Sequence, residues 1–244
     1  MIIAATSDVH SPRYFEFFLD SINNLEDMEK RPDMMLIAGD MVHRGEIDEY
    51  ERVYNAMFGS TTGPIVACFG NNEFSEKRDE VRSRFKNIQF LDDQSVHISV
   101  RLPGSMRETV VGIVGTTGSL ETPTPWQKAN VPNIEGIYQN RVSLVERHLG
   151  HLRADIRILL MHYAPTYKTL DGENPRFFGS LGWNVYENVI VRQKPDIVIH
   201  GHSHRGSKMA WVDSVPVFNV AMPLNRKIVI IDTDKLKAGL EKFV

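Results

Sequence analysis

The first part of the chain alternates short apolar runs with longer segments that carry apolar residues at helical spacing. Because strands joined by crossover helices lie parallel in one sheet, this alternation predicts an α/β fold. The predicted strands are MIIAAT, DMMLIAG and PIVACFG, and the predicted helices cover residues 14–30, 48–58 and 75–85.

The second part of the chain predicts antiparallel strands as well. QSVHISV and ETVVGIVGTTG flank the turn signal LPG and are expected to pair with each other. Further strands are predicted in IRILLM, DIVIH, KMAWV, VPVFNV and RKIVIID, and further helices over residues 138–153 and 233–243. Two Pro-, Gly- and Thr-rich segments, residues 116–136 and 163–183, show no regular pattern, and long loops of this kind are usually functional or disordered.

Five of the predicted buried strands end in carboxylate, amide or imidazole side chains. Ligands bind at the carboxyl ends of strands in open α/β sheets, so these side chains are expected to share one edge. The donors in question are Asp8, His10, Asp40, Asn71, His162, His202 and His204. Helix caps and satisfied core polar groups are the alternative explanation, but capping does not require so much imidazole at one edge.

The donor types indicate a metal site. Oxygen and imidazole donors without any thiolate suit Mn, Fe, Zn or Co. Seven such side chains exceed what a single ion takes, so the set predicts two divalent ions that share one carboxylate. Paired ions about 3.5–4 Å apart suit the in-line displacement of a phosphoryl group.

The composition limits which other functions the chain can have. The chain has 244 residues and is 42% hydrophobic, which predicts a single domain over residues 1–244. A net charge of -3 gives no strong signal for duplex nucleic acid. The single cysteine, Cys68, and the lack of a signal-peptide pattern or a membrane-spanning run predict a cytoplasmic protein without a membrane partner. Homo-oligomer formation stays open.

The same motifs resemble the signature sequences of a known protein family. SDVH, GDMVHRG, GNNE, the His162 of MHYAP, and GHSH resemble, in this order, the five signature blocks of the calcineurin-like metallophosphoesterases. The resemblance implies a four-layer α/β/β/α sandwich of two mixed sheets. It also implies hydrolysis of a phosphate ester by a hydroxide that bridges the two ions.

The resemblance further implies a role for each ligand. Asp8, His10 and His204 would hold one ion, Asn71, His162 and His202 would hold the other, and Asp40 would bridge them. The small Gly201 would let the backbone approach closely. Glu73 would orient His10, and His200 would either support the other histidines or end the core of its strand.

The third block departs from the family pattern. Asn72 stands where the family usually has a histidine that contacts phosphate and is assigned as the proton donor to the leaving group. An amide donates a hydrogen bond but cannot give up a proton near neutral pH. His43 is the candidate replacement acid, with a solvated loop histidine as its alternative. Several family members that lack the histidine resemble phosphodiesterases, so a phosphodiesterase is predicted.

The substrate is predicted to be a small phosphate ester bound by the two long loops. Tyr163 and Phe178 are the candidate contacts for the organic group, and Arg176 is the candidate contact for phosphate. Local packing or a dimer contact is the alternative role of these aromatic residues. The competing functions are a phosphomonoesterase of the same family and a non-catalytic metal-binding scaffold with this fold.

Overall fold

Two mixed β-sheets face each other in the computed structural model, which describes residues 1–61 and 63–240. The first sheet has the strand order β11-β1-β2-β3-β4 and the second has the order β5-β6-β7-β8-β10-β9. The strands are β1 Ile2–Thr6, β2 Met34–Ala38, β3 Ile65–Cys68, β4 Ile88–Leu91, β5 Gln94–Arg101, β6 Glu108–Thr116, β7 Ile156–Met161, β8 Ile197–His200, β9 Met209–Val212, β10 Val215–Asn219 and β11 Val229–Asp232.

Helices cover the outer face of each sheet, which completes four layers. The helices are α1 Phe15–Glu26, α2 Ile47–Met57, α3 Arg78–Arg84, α4 Pro125–Asn130, α5 Ile134–His151, α6 Phe178–Leu181, α7 Val185–Gln193, α8 Met222–Asn225 and α9 Thr233–Leu240. Apolar side chains of α1, α2 and α3 pack on the first sheet, and those of α5 and α7 pack on the second. The predicted α/β/β/α sandwich is confirmed.

The continuous apolar runs follow from burial on both faces of each sheet. In β7, Ile158 and Leu160 point into the core between the sheets, whereas Leu159 and Met161 point toward the helices. The strands β1, β2, β3 and β4 pair in parallel, as do β6, β7, β8 and β10. Parallel strands covered on both faces read as unbroken apolar sequence rather than as alternation.

Several elements differ from the sequence prediction. The strand β4 and the helix α7 were not predicted, and α5 begins at Ile134 rather than at residue 138. The first irregular segment contains α4, which Thr124 and Gln127 begin with a reciprocal capping box. The second contains two 3₁₀ turns and α6. Of the helix predicted over 233–243, the last three positions lie outside the described residues.

The described residues, 1–61 and 63–240, include no helix that is both long and apolar enough to cross a membrane.

Leu160→Ala tests the core between the sheets. Leu160 is fully buried, so we expect the free energy of unfolding to fall by about 2–5 kcal/mol because its removal leaves a cavity. The midpoint and slope of urea unfolding measure the change. Val191→Ala, on the exposed side of α7, should change it by no more than about 0.5 kcal/mol. Equal effects of the two substitutions would contradict the assignment of this core.

Candidate metal centre

The carboxyl ends of strands from both sheets meet at one edge of the sandwich. Segments following β1, β2 and β3 approach from the first sheet, and segments following β7 and β8 approach from the second. Donor atoms lying within 4.8 Å of one another form two groups, Asp8, Asp40, His162 and His202 in one, and Asp8, His10 and His204 in the other. Asn71 joins the first group, since its Oδ1 is 3.0 Å from Nε2 of His162. All seven predicted ligands therefore lie together.

The centre contains three carboxylates that are almost fully removed from solvent. Asp8 is 0% exposed, Asp40 1% and Glu73 3%. Within the described part of the chain, the ion pairs of Asp8 and Asp40 involve only histidine imidazoles, with no lysine or arginine. A buried charge without compensation is costly, so this many carboxylates require positive charge close by. The donor set accordingly fits divalent cations.

The orientation of His162 exposes the same deficit of positive charge. Its Nδ1 is 2.8 Å from the carbonyl oxygen of Ala38, which fixes the hydrogen on that nitrogen in the neutral ring. Its Nε2 lone pair then faces Oδ1 of Asn71 at 3.0 Å and Oδ2 of Asp40 at 3.5 Å. Three acceptor atoms in this arrangement repel one another unless a proton on Nε2 or a metal cation lies among them. A backbone carbonyl that orients an imidazole in this way is typical of metal sites.

Four of the seven candidate ligands adopt left-handed backbone conformations. The φ angles are 56° at Asp8, 43° at His10, 54° at Asp40 and 66° at His202. Such residues are uncommon outside glycine, and the strain persists only where the surroundings enforce it. Backbone hydrogen bonds enforce it here, because Asp8 donates to Gly39 and His10 donates to the Asp40 carbonyl, both at 3.0 Å.

Two glycines let the backbone pass close to the carboxylates of Asp8 and Asp40. A Cβ on Gly201 would lie 2.4 Å from Oδ2 of Asp8, and a Cβ on Gly70 would lie 2.1 Å from Oδ1 of Asp40. Neither distance is sterically possible without movement of the carboxylate. The predicted close approach at Gly201 is confirmed.

Electrostatics keep Asp8 ionised. Burial acts to raise the pKa of Asp8, but hydrogen bonds with His10 and His204 outweigh it and hold the pKa well below its usual range. The Asp8 carboxylate also accepts hydrogen bonds from the Ser7 hydroxyl at 2.5 Å and from the His202 amide at 2.9 Å. Ser7 was not among the predicted site residues, although it precedes Asp8 at the end of β1.

Burial keeps two of the clustered histidines neutral. Desolvation, reinforced by the neighbouring His162, lowers the pKa of His202 to about 3. Desolvation also lowers the pKa of His200 to about 4. A neutral imidazole has the lone pair that a metal ligand needs, and His202 belongs to a donor group whereas His200 does not. His200 instead ends β8 in the core, in keeping with the second of the two roles considered for it.

The expected hydrogen bond between Glu73 and His10 is not formed. The Glu73 carboxylate accepts hydrogen bonds from the backbone amides of Asp40, Met41 and Gly70, at 2.8, 2.7 and 2.7 Å. The Nδ1 atom of His10 has no hydrogen-bond partner among the described residues. Glu73 therefore ties the turn after β2 to the turn after β3 and acts on the backbone rather than on an imidazole.

The two candidate catalytic residues make different contacts at the centre. Asn72 donates to Asp40 twice, from its backbone amide at 2.7 Å to Oδ1 and from its side-chain amide at 2.6 Å to Oδ2. His43 is exposed, and its ring centroid is 6.3 Å from that of His10. Asn72 thus contacts the predicted bridging ligand directly, whereas His43 lies at the rim beside His10.

A cavity of about 640 Å³ adjoins the centre, and Asn71, Tyr163 and His202 form part of its lining. Tyr163 lies with its ring centroid 4.9 Å from that of His202, and desolvation raises its pKa. Among the described residues, the lining of this cavity includes neither Arg176 nor Phe178. Arg176 is exposed, and Phe178 packs against Tyr167, which leaves only Tyr163 of the three predicted substrate contacts in this cavity.

The family model for calcineurin-like phosphoesterases matches residues 1–206 of this sequence. The chain belongs to the calcineurin-like phosphoesterase family. The family model and the geometry of the donor groups agree on a phosphoesterase fold with a candidate metal-binding cluster of Asp and His side chains. The resemblance carried by the five sequence motifs is confirmed.

Solved structures share the fold at low sequence identity. A phosphopantetheinyl hydrolase from Mycobacterium tuberculosis aligns with a TM-score of 0.64 and 15% identity, over 90% of this chain and 88% of that one. GAP50, described as the anchor in the inner membrane complex of Plasmodium, aligns with a TM-score of 0.61 and 11% identity, over 91% of this chain and 72% of that one. The search of curated protein sequences returned no match.

Glu73→Gln tests whether Glu73 holds the turn after β2 to the turn after β3. A glutamine keeps one acceptor oxygen and places an amide donor against a backbone N–H, so we expect the free energy of unfolding to fall by about 1–3 kcal/mol. Urea unfolding in the presence of a chelator measures the effect on the protein alone. Glu76→Gln, at an exposed position nearby, is the control and should leave the midpoint unchanged. A Glu73→Gln protein as stable as the control would contradict this role of the Glu73 hydrogen bonds.

Proposed function

We propose that this protein is a dinuclear metal-dependent phosphoesterase that prefers phosphodiesters. One observation carries the proposal: Asp8, Asp40 and Glu73 are buried in one place, and their partners among the described residues are imidazoles, amides and the Ser7 hydroxyl. Two divalent cations would supply the missing positive charge, and their expected identity is Mn, Fe, Zn or Co.

The proposed ligand assignment follows the family pattern. Asp8, His10 and His204 would hold one ion, and Asn71, His162 and His202 would hold the other. Asp40 would bridge, and in support of this its Oδ2 lies 3.9 Å from Nε2 of His10 and 3.5 Å from Nε2 of His162, which belong to the two proposed sets.

When bound, two such ions lower the pKa of an attacking water and neutralise the phosphoryl oxygens. The residues of the chain position this chemistry. The Ala38 carbonyl holds His162 in one tautomer, and Asn72 fixes both oxygens of Asp40. The Nε2 atom of His162 and the oxygens of Asp40 would thus be held in place for the ions, which would reduce the reorganisation needed during the reaction.

The preference for diesters rests on Asn72. Its side-chain amide is committed to Asp40, and an amide cannot protonate a departing alkoxide. Several family members without a histidine at this place resemble phosphodiesterases, which supports the same preference. We propose His43 as the replacement acid because it lies beside His10 and is open to solvent.

Two other functions compete with this proposal. A phosphomonoesterase would use the same centre and would be recognised by faster hydrolysis of monoesters than of diesters. A metal-binding scaffold is the second alternative, since GAP50, a protein of this fold, is described as an anchor. A scaffold would bind metal yet hydrolyse neither class of ester. A cytoplasmic location stays a prediction from sequence.

His202→Ala tests the metal centre. We expect the purified protein to contain about two divalent ions and to hydrolyse aryl phosphodiesters, and both properties should fall sharply in this variant because a ligand is lost. Metal analysis and steady-state kinetics with added Mn measure the two. Treatment with a chelator should abolish hydrolysis, and re-addition of Mn should restore it.

His97→Ala is the matched control for this experiment. His97 is exposed on β5, away from the centre, so the control should retain metal and activity. Circular dichroism establishes that both variants are folded. Retention of both metal and activity in folded His202→Ala would overturn the proposal.

His43→Asn tests the proposed acid through the leaving group. A poor leaving group needs a proton, whereas 4-nitrophenolate does not. We therefore expect kcat to fall by about 10²–10⁴-fold for alkyl diesters and by far less for 4-nitrophenyl diesters. His97→Asn serves as the control. Equal losses for the two kinds of substrate would rule out His43 as the acid.

A further inference from the structure

The 640 Å³ cavity beside the centre is continuous with it. Asn71 and His202, two of the proposed ligands, line the cavity, and Tyr163 lines it next to His202. The far walls come from α4, the start of α5, and the turn after β3. A phosphate group held at the centre would therefore extend its organic group into this space. The volume lies within the range of ordinary small-molecule sites.

The rim of the cavity is apolar and exposed. Trp126 is 67% exposed, Ile137 39% and Phe74 38%, and all three line the cavity. Leu120 and Ile134 continue the apolar wall inward. Large apolar side chains scattered singly on a surface need no explanation, but several around one concave space indicate a binding site. Their burial by a ligand would be favourable.

The cationic groups of the cavity are already neutralised by the protein. Nη1 of Arg78 is 2.8 Å from Oδ1 of Asp92, and Nε of Arg141 is 2.9 Å from Oδ2 of Asp93. Both guanidinium groups also donate to backbone carbonyls, Arg78 to those of residues 70 and 73 and Arg141 to that of residue 118. The positive charge of each guanidinium is therefore compensated by a carboxylate, which weakens its attraction for a second phosphate.

The acidic groups of the cavity disfavour a second anion as well. Glu73 is buried and accepts hydrogen bonds from three backbone amides. Glu76 is exposed and accepts a hydrogen bond from the Ser75 hydroxyl. Like charges repel most strongly where water is partly excluded. A polyphosphate or a ligand with several anionic groups would meet a carboxylate at the mouth and, within, guanidinium groups that are already paired with aspartates.

From this wall and this charge balance we infer that the protein selects phosphate esters whose organic group is apolar and uncharged, such as an alkyl or aryl chain, over those with a polar nucleoside group. The inference rests on the proposed phosphoesterase function, since it takes the centre as the place that holds the phosphate. Trp126, Ile137 and Phe74 are the specificity-determining residues, and Trp126 is the most exposed of the three.

Three diesters with the same leaving group test the selectivity. They are the octyl, methyl and thymidine-5′ esters of 4-nitrophenyl phosphate, so any difference reflects the retained organic group. We expect kcat/KM for the octyl ester to exceed that for the other two by at least about tenfold. Trp126→Ala should remove most of this advantage, so that the ratio of kcat/KM for the octyl ester to kcat/KM for the methyl ester falls toward one.

Trp211→Ala is the matched control. Trp211 is also an exposed tryptophan, at 42%, but it lies in β9 and lines a different pocket. The control should retain the octyl preference. Equal kcat/KM for the octyl and methyl esters, or an equal loss of the preference in the two variants, would overturn the inference.

A binding experiment separates this inference from the proposed function. Octyl phosphonate and methyl phosphonate are not hydrolysed, and their affinities for the protein are measured by calorimetry before and after addition of Mn. We expect octyl phosphonate to bind at least about tenfold more tightly, with the difference lost in Trp126→Ala. If none of the diesters is hydrolysed, the proposed function fails, but this difference still decides the inference. Equal affinities for the two phosphonates would overturn it.

Discussion

The structure of this centre depends on burying three carboxylates without a lysine or arginine to neutralise them. Asp8, Asp40 and Glu73 are each at most 3% exposed, and imidazoles are the only ion-pair partners of Asp8 and Asp40 in the part of the chain described here. Desolvation of so much negative charge opposes folding. Hydrogen bonds from amides and the Ser7 hydroxyl offset part of this cost, and a cation or a group that becomes positive would offset more. The interior of the fold thus carries a deficit of positive charge that favours the binding of cations.

The backbone around the carboxylates adopts conformations that cost further conformational free energy. Asp8, Asp40 and His202 adopt left-handed conformations, and glycines at 70 and 201 leave no room for a side chain. Glu73 holds the turns after β2 and β3 together through three amide hydrogen bonds, in place of bonds that regular structure would supply. The left-handed residues and the two glycines do not stabilise the sandwich, which is held by the apolar cores between the sheets and under the helices. They place acceptor atoms so that they converge, which apolar packing alone cannot do.

The apolar runs predicted an α/β fold and the gathering of the ligands at one edge, whereas the two-sheet sandwich was implied by the family resemblance. Buried parallel strands read as apolar runs, and the polar residues that follow them must lie at one edge. The four residues of β4 were missed because Ile88–Leu91 is short and carries an exposed Gln89 in a region without turn signals. The helix α4 could have been predicted from Thr124-Pro125 and Gln127, a capping-box pattern that the irregular composition of its segment obscured. The role of Glu73 could not be predicted from sequence. A carboxylate next to a ligand motif can accept a hydrogen bond from an imidazole or from the backbone amides of a turn, and the sequence is the same in both cases.

The cavity and the centre share residues, so recognition and chemistry are coupled through the second sheet. Tyr163 and His202 follow β7 and β8, and their rings are in contact at the boundary between the two spaces. The hydroxyl of Tyr163 is 3.5 Å from the side-chain amide of Gln127, the residue that also caps α4. A ligand that packs on Trp126 in α4 therefore lies against an element that leads through Gln127 and Tyr163 to His202. Under the proposed function, an unbroken series of contacts would therefore join the organic group of a bound ester to a proposed metal ligand.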